Sequence, residues 1–261
     1  ETAAVFEMVG GNSTRVHLNS FISGADDLAN YDILAVPGGF SFGDHLGSGR
    51  LMGNRMRYSL RDELTKFIQA DKPIIGICNG FQVLVKTGLL PGPDGNEPDF
   101  VQRASLTLND SGRYEDRWVT LEFNQDSNCI WTKGITRIDC PVRHGEGKYV
   151  MPDRESLAQL SDNNQITVRY IDPNNNDNVD NNQVLPFPIS PNGSMMNIAG
   201  ICDKTGLVFG LMPHPEAIYA QWLHPDFTRG TAPQTESQID WEGQGLQIFR
   251  NAIEYTISKN T

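Results

Sequence analysis

Cys78 is the residue whose surroundings in the sequence most favour covalent chemistry. It follows the apolar run Ile74–Ile77 and precedes Asn79 and Gly80, where a helical pattern begins. A buried strand, a sharp turn and a helix would present the sulfur at the tip of the turn, and nearby glycines leave room for a substrate. A helix N-terminus favours the thiolate, the reactive form of cysteine. The pattern predicts a nucleophile, whereas the alternative is a buried structural cysteine.

His214 and Glu216 could complete a catalytic unit with this cysteine. They lie two positions apart after the apolar run 207–212, and the prolines on either side of His214 predict an extended segment. Residues i and i+2 of an extended backbone point the same way, so Glu216 can reach the imidazole. The carboxylate would orient the ring and leave its other nitrogen to accept a proton from Cys78. The alternative is a surface turn with an incidental histidine.

Two glycines could supply an oxyanion site. Gly38 and Gly39 follow a predicted strand over residues 32–36. Ligands of open parallel sheets bind beyond the carboxyl ends of the strands, where this turn, the cysteine turn and the histidine turn would meet. The backbone N–H groups of Gly38 or Gly39 and of Asn79 could hold the oxyanion of a tetrahedral intermediate. Pro-Gly-Gly is also common in ordinary turns, which is the alternative interpretation.

The elements that position these residues alternate between helix and strand. Apolar periodicity predicts a helix over residues 1–9, strands over 14–18 and 32–36, a long helix over 51–70, and then the cysteine strand. This order predicts an α/β fold, a three-layer, mostly parallel sheet with helices on both faces and a flavodoxin-like core. Such sheets usually open on a strand, so we expect that a first strand of the native protein is missing from the sequence.

The second part of the chain is richer in strands. Strand-like runs occur at 104–108, 118–123, 136–140, 166–170, 195–202 and 207–212; the polar residues 172–178 predict a turn, 225–236 an irregular segment and 243–258 a helix. No internal repeat or long linker divides the sequence. We therefore predict one domain over residues 1–261.

Composition excludes several functions. The chain has 261 residues and a formal net charge of -11, which argues against a nucleic-acid partner because phosphate binding needs a basic face. It contains no long apolar run and no signal peptide, so we expect no membrane partner. The four cysteines are far apart and lack metal-type spacing, which predicts no metal site and reduced thiols in the cytoplasm.

Several motifs together carry a family resemblance. Gly-Ile-Cys-Asn-Gly-Phe-Gln at residues 76–82 with Pro-His-Pro-Glu at 213–216 resembles class I, or triad-type, glutamine amidotransferases. Within this class the chain is similar to the glutaminase subunits of phosphoribosylformylglycinamidine synthase, an enzyme of de novo purine biosynthesis. The further matching segments are residues 37–44, 109–118, 144–148 and 192–194.

The resemblance implies a fold like that of class I glutamine amidotransferases, and a mechanism. Cys78 would attack the side-chain amide of glutamine, releasing ammonia and leaving a glutamyl thioester that water hydrolyses to glutamate. His214 would act as base and then acid, oriented by Glu216. The resemblance also assigns contacts to the amino-acid end of the substrate, by Gln82 and by His144, Gly145 and Glu146.

The resemblance implies partners as well. A synthetase subunit that uses ATP and Mg would consume the ammonia, converting formylglycinamide ribonucleotide to formylglycinamidine ribonucleotide, and a small third subunit would bridge the two. No cofactor is implied for this chain. The candidates for the docking surface are Arg50, Arg55, Arg57 and the segment 109–118; a solvated charged face is the alternative for the arginines.

Two other functions fit part of the pattern. A cysteine hydrolase or protease on a related fold would use the same turn, but it leaves the family segments unexplained. A non-catalytic subunit that keeps the fold would have no need of Cys78, His214 and Glu216 together.

Overall fold

The computed structural model describes residues 1–93, 95, 97–174, 183–230 and 241–260. The turn expected at 172–178 and the irregular segment expected at 225–236 lie partly outside these residues. The helices are α1 (Thr2–Met8), α2 (Leu18–Ile22), α3 (Arg50–Ser59), α4 (Arg61–Gln69), α5 (Asn79–Thr87), α6 (Arg154–Asp162) and α7 (Leu246–Asn260). The strands are β1 (Leu34–Val36), β2 (Ile74–Ile77), β3 (Ser105–Thr107), β4 (Glu115–Phe123), β5 (Arg137–His144), β6 (Lys148–Val150), β7 (Ile166–Ile171), β8 (Ile198–Cys202) and β9 (Val208–Leu211).

One mixed sheet forms the centre of the fold. Its strand order is β1-β2-β9-β8-β7-β4-β5, and β3 pairs with β6 in a separate two-stranded sheet. Strands β1, β2 and β9 run parallel, whereas every pair from β9 to β5 is antiparallel. The α/β fold class is confirmed, but the sheet is mixed rather than mostly parallel. For example, only residues 203–207 connect β8 to β9. These two strands pair antiparallel because a parallel crossover needs about a dozen residues or more.

Both faces of the parallel region are covered. Ile74, Ile75 and Ile77 of β2 are 0% exposed. Because successive side chains of a strand point to opposite faces, this burial requires cover on both sides. Helix α5 packs on one side, where Leu84 approaches Gly76. The interior strands therefore form a rigid base for the turns at their carboxyl ends.

Two predicted elements are wrong. Residues 14–17 form no strand; His17 instead caps α2, its ring accepting the N–H of Asn19 at 3.1 Å. The long helix expected over 51–70 breaks at Leu60 (φ -129°, ψ 22°), whose side chain is buried. No glycine or proline marks this break, so local periodicity could not locate it. No helix in the described part of the chain is long and apolar enough to cross a membrane.

Candidate active site

Cys78 occupies the predicted turn between β2 and α5. Its backbone has φ 51° and ψ -106°, a sparsely populated region that costs a non-glycine residue on the order of 1–3 kcal/mol. The N–H of Cys78 donates to the carbonyl of Leu211 on β9 at 2.8 Å, and Sγ lies 3.5 Å from the carbonyl oxygen of Arg143 on β5. Contacts to β9 and β5 thus hold the turn in its strained shape. The sulfur is not exposed as the sequence predicted, because Cys78 is only 6% exposed.

The glycines beside Cys78 serve close packing. A Cβ at Gly80 would lie 1.8 Å from the carbonyl oxygen of Val36, and one at Gly76 would lie 2.6 Å from that of Gly80. Side chains at either position would push α5 away from β1 and β2. We expected these glycines to leave room for a substrate, whereas the contacts show that they let the helix approach the sheet.

His214 and Glu216 form a buried pair. Nδ1 of His214 donates to Oε1 of Glu216 at 2.8 Å, and the two residues are 7% and 3% exposed. The segment is not extended as predicted, since Pro215–Ala217 is a turn of 3-10 helix. The N–H of His214 donates to the carbonyl of Pro141 at 2.9 Å, which attaches the segment to β5. The carboxylate of Glu216 therefore orients the imidazole of His214, although the backbone between them is not extended as predicted.

Gly38 brings the histidine and cysteine turns together. A Cβ at Gly38 would lie 2.9 Å from Cε1 of His214 and 3.4 Å from Cβ of Cys78. Nε2 of His214 has no hydrogen-bond partner among the residues that the structure describes. Burial lowers the pKa of His214, but its acidic neighbours Cys78 and Glu216 outweigh burial and raise the pKa to about 10. The imidazole accordingly holds a proton at neutral pH, which can neutralise a thiolate beside it.

Asn79 links the predicted oxyanion site to the glycine turn. It is the first residue of α5, whose first N–H groups have no acceptor within the helix. Its side chain accepts the N–H of Ser41 at 3.1 Å and donates to Asp44 at 3.2 Å. Gly38 lies beside Cys78 and His214, and Gly39 follows with φ 129°. N–H donors from two different turns are thus held near Cys78.

Gln82 positions a second loop. Its Nε2 donates to the carbonyl of Glu146 at 2.6 Å, and its Oε1 accepts from Asn79 at 3.0 Å. The carboxylate of Glu146 accepts the N–H of Ser48 at 3.3 Å. The side chain of Gln82 is therefore engaged in holding the loop that the resemblance assigns to substrate contact.

His144 shapes the same loop from inside. Nδ1 of His144 donates to Oδ1 of Asn109 at 3.1 Å, and the N–H of Gly147 donates to the same oxygen at 3.0 Å. A Cβ at Gly147 would lie 2.3 Å from the ring, and Gly145 lies beside Tyr114. Burial lowers the pKa of His144 to about 4, so the ring is neutral at physiological pH. Within the described residues, no cluster of His, Cys, Asp and Glu side chains could hold a metal ion.

Comparison with known proteins identifies the family. A model described as the CobB/CobQ-like glutamine amidotransferase domain matches residues 1–256. The chain belongs to this family. The amidotransferase is 41% identical over 257 residues to phosphoribosylformylglycinamidine synthase subunit PurQ of Dehalococcoides mccartyi, covering 98% of this chain and 91% of the relative. It is 42% identical over 259 residues to the same subunit of Methanococcus maripaludis, and this match covers 98% of this chain and 92% of the relative.

A solved structure agrees with these sequence matches. The amidotransferase aligns with a chain in the structure of PurLQS from Thermotoga maritima at a TM-score of 0.67 and 27% identity, covering 97% of this chain and 91% of that one. The resemblance to triad-type amidotransferases and to this glutaminase subunit is therefore confirmed.

Sequence reasoning missed one structural residue of the amidotransferase site. We assigned Asn109 to a docking segment, but it is 2% exposed and holds the loop after β5 through His144 and Gly147. Its Nδ2 also donates to the carbonyls of Arg113 and His144. Asparagine is common in surface turns, so its identity alone did not distinguish this buried role.

Burial does not distinguish Cys78, the predicted nucleophile, from the other cysteines of the amidotransferase. All four cysteines are buried and free. Burial raises the pKa of the Cys140 thiol well above its ordinary value, which disfavours a thiolate there. Only the local turn and its histidine partner single out Cys78.

Proposed function

We infer that this chain is the glutaminase subunit of a phosphoribosylformylglycinamidine synthase. The observation that carries the inference is the meeting of Cys78 and His214 around Gly38, with Glu216 bonded to the histidine, in a chain of this family. One seven-stranded sheet carries all three turns, and we propose that residues 1–261 act as a single catalytic domain.

The residues support a two-step reaction. The Cys78 thiolate adds to the carboxamide carbon of glutamine, and the backbone N–H groups of Gly38 or Gly39 and of Asn79 stabilise the resulting oxyanion. His214 donates its Nε2 proton to the amide nitrogen, the carbon–nitrogen bond breaks and ammonia leaves. Water then gives a proton to His214 and adds to the thioester. The carbon–sulfur bond breaks, releasing glutamate and restoring the thiolate and the imidazolium.

The loop after β5 is proposed to recognise the amino-acid end of glutamine. Gln82 holds Glu146 through its carbonyl, the N–H of Asn109 donates to the carbonyl of Gly145, and the ring of the buried His144 packs against Gly147. These contacts order the loop before substrate arrives, which reduces the entropic cost of binding. We therefore assign Gln82 and His144 to positioning and the backbone of Gly145 and Glu146 to direct contact.

The ammonia is proposed to serve a second subunit. The similarity to a chain of PurLQS supports assembly with a synthetase and a small subunit. In this proposal the synthetase binds ATP, Mg and formylglycinamide ribonucleotide and forms the amidine, and this chain supplies only nitrogen.

Isotope transfer tests this function. The chain is reconstituted with the synthetase and small subunits and given glutamine labelled with 15N in its side-chain amide, in the presence of unlabelled ammonium. We expect the label in the amidine product. Product that requires ammonium and never contains the label would overturn the assignment.

A further inference from the structure

The segment 192–194 belongs to the family resemblance but has no role in the proposed reaction. It consists of Asn192, Gly193 and Ser194 and lies between β7 and β8. Asparagine, glycine and serine are typical of exposed turns, yet Asn192 and Ser194 are 1% and 0% exposed. Buried polar side chains bond to other groups, and these partners show what the segment supports.

The hydroxyl of Ser194 is bonded to the backbone at the end of the loop after β5. It accepts the N–H of Tyr149 at 2.9 Å and donates to Oδ1 of Asn192 at 2.8 Å. The carbonyl of Gly147 lies 3.3 Å from the same hydroxyl oxygen and is a second, longer acceptor. Ser194 therefore fixes the chain where the loop enters β6.

Asn192 anchors this hydroxyl to the central sheet. Its Oδ1 also accepts the N–H of Ser194 at 3.1 Å, and its Nδ2 donates to the phenol oxygen of Tyr170 at 3.1 Å. Tyr170 is buried on β7, an interior strand of the seven-stranded sheet. The backbone is attached as well, since the carbonyl of Asn192 accepts the N–H of Asp110 at 3.2 Å. We call Asn192 and Ser194 the loop clamp.

Gly193 allows the clamp to lie against the neighbouring segment. A Cβ at Gly193 would lie 1.9 Å from Oδ2 of Asp110, and its φ of 79° favours glycine. The other carboxylate oxygen of Asp110 accepts from Lys148, the residue that follows the loop. All three residues of the segment are thus engaged around the end of the loop.

The other backbone contacts of the loop leave two donors free. Asn109 donates its N–H to the carbonyl of Gly145 and accepts the N–H of Gly147, and a side chain of α5 holds the carbonyl of Glu146. Among the residues that the structure describes, the N–H groups of Gly145 and Glu146 have no acceptor. Adjacent backbone N–H groups suit an anion such as a carboxylate. Because Ser194 holds the carbonyl of Gly147, every other polar backbone group of residues 145–147 is bonded.

We propose that the loop clamp positions the loop for the amino-acid end of glutamine, a step that rests on the proposed function. By fixing the chain at Gly147, Asn192 and Ser194 keep the N–H groups of Gly145 and Glu146 directed at the α-carboxylate of the substrate. This contact is made equally before and during the reaction at the side-chain amide. The clamp therefore acts on substrate binding rather than on the chemical step.

Removal of the Ser194 hydroxyl tests the clamp against a purely structural role. The variant is Ser194→Ala, and the matched control is Thr87→Val at the end of α5 opposite Cys78. The hydroxyl of Thr87 is also buried; it donates to the carbonyl of Leu84 at 2.7 Å and accepts the N–H of Leu89 at 3.3 Å. Each variant is assembled with the synthetase and small subunits. The measurements are kcat and KM for glutamine, and the alkylation of Cys78 by a glutamine-like electrophile and by iodoacetamide.

We expect Ser194→Ala to raise KM for glutamine roughly tenfold and to change kcat less than about twofold, whereas Thr87→Val should match wild type in both. The glutamine-like electrophile should label Cys78 of Ser194→Ala only at higher concentration. Iodoacetamide has no amino-acid end, so it should label both variants at the wild-type rate. Tyr170→Phe removes the hydroxyl bonded to Asn192 and should also raise KM.

An unchanged KM in Ser194→Ala, or an equal rise in Thr87→Val, would overturn the clamp while the proposed function stands. A loss of kcat at unchanged KM would overturn it too, because the defect would then lie in the chemical step. If Ser194→Ala does not fold, an unchanged KM in Tyr170→Phe has the same meaning. Failure of the wild-type complex to use glutamine would overturn the proposed function instead.

Discussion

The backbone of Gly38 packs directly against the imidazole of His214, because a Cβ at Gly38 would lie only 2.9 Å from Cε1 of the ring. The glycine turn, proposed to hold the oxyanion, and the proposed base are therefore in van der Waals contact. A side chain at position 38 would therefore displace the imidazole of His214. That ring is bonded through Nδ1 to Glu216 at 2.8 Å.

Gly38→Ala is expected to reduce glutaminase activity without unfolding the chain. The added methyl group moves the ring of His214 away from Cys78, and a displacement of about 1 Å in a catalytic group can cost on the order of a hundredfold in rate. Steady-state kinetics of the assembled enzyme with glutamine measure the loss. Gly95→Ala is the control, because a Cβ at Gly95 meets nothing within 4 Å. Equal kcat/KM for both variants would show that the contact is unimportant.

Glu216→Gln is expected to lower the pKa of His214 and to slow thioester formation roughly a hundredfold or more, because the neutral amide no longer stabilises the imidazolium.

The same variant should change the pH dependence of stability. The pKa of His214 is raised from 6.5 to about 10 on folding. Between these values the His214 side chain binds more protons in the native state than in the unfolded state, so its contribution to stability, present below pH 6.5, is lost as the pH rises towards 10.

Urea denaturation of both chains at pH 7 and pH 9.5 tests this linkage. The free energy of unfolding of wild type should fall more over this interval than that of Glu216→Gln. Both chains carry Cys78→Ser in this comparison, because the charge of Cys78 also raises the pKa of His214 and would not cancel. The remaining titrating groups are common to both chains and cancel. Parallel profiles would mean that His214 holds no extra proton in the native state.

His144→Gln is expected to make the fold less sensitive to acid. Burial lowers the pKa of His144 from 6.5 to about 4, so the unfolded state binds more protons between these values. The stability of wild type therefore falls as the pH drops through this window, and the variant lacks this contribution. A glutamine amide can still donate to Oδ1 of Asn109. The free energy of unfolding at pH 6.5 and pH 4.5 measures the difference, and identical slopes would contradict the buried neutral state.

Asn79→Ala is expected to loosen the segment 41–44, which follows the glycine turn. The variant removes the acceptor of the Ser41 N–H and the donor to Asp44, while the backbone N–H at position 79 remains. Loss of a hydrogen bond worth about 1 kcal/mol should accelerate amide exchange at Ser41 several-fold. Hydrogen exchange of the isolated chain reports this, with the amide of Leu211 on β9 as the internal reference. Unchanged exchange at Ser41 would mean that Asn79 does not hold the turn.

The features that could be predicted from the sequence are local ones. The apolar run before Cys78 and the helical pattern after it predict β2, the turn and α5 correctly, because each depends on neighbouring residues. His214 and Glu216 could be paired because two residues this close in sequence meet in a turn as well as in a strand.

The features that sequence reasoning missed depend on contacts between distant segments. Four of the six strand pairs in the large sheet are antiparallel, and periodicity does not specify which strands become neighbours. Gly80 is required by the carbonyl of Val36, far away in the chain. Asn109 acts on His144 across a comparable separation. Such contacts become visible only when the fold brings the segments together.

The central claim is that Cys78 converts glutamine to ammonia for a partner synthetase, and Cys78→Ala tests it most directly. The variant is assembled with the wild-type synthetase and small subunits, and synthesis is measured with glutamine and, separately, with ammonium salts. Glutamine-dependent synthesis should fall to background, while ammonia-dependent synthesis should equal that of the wild-type complex. Persistent glutamine-dependent synthesis would show that another group is the nucleophile and would contradict the account.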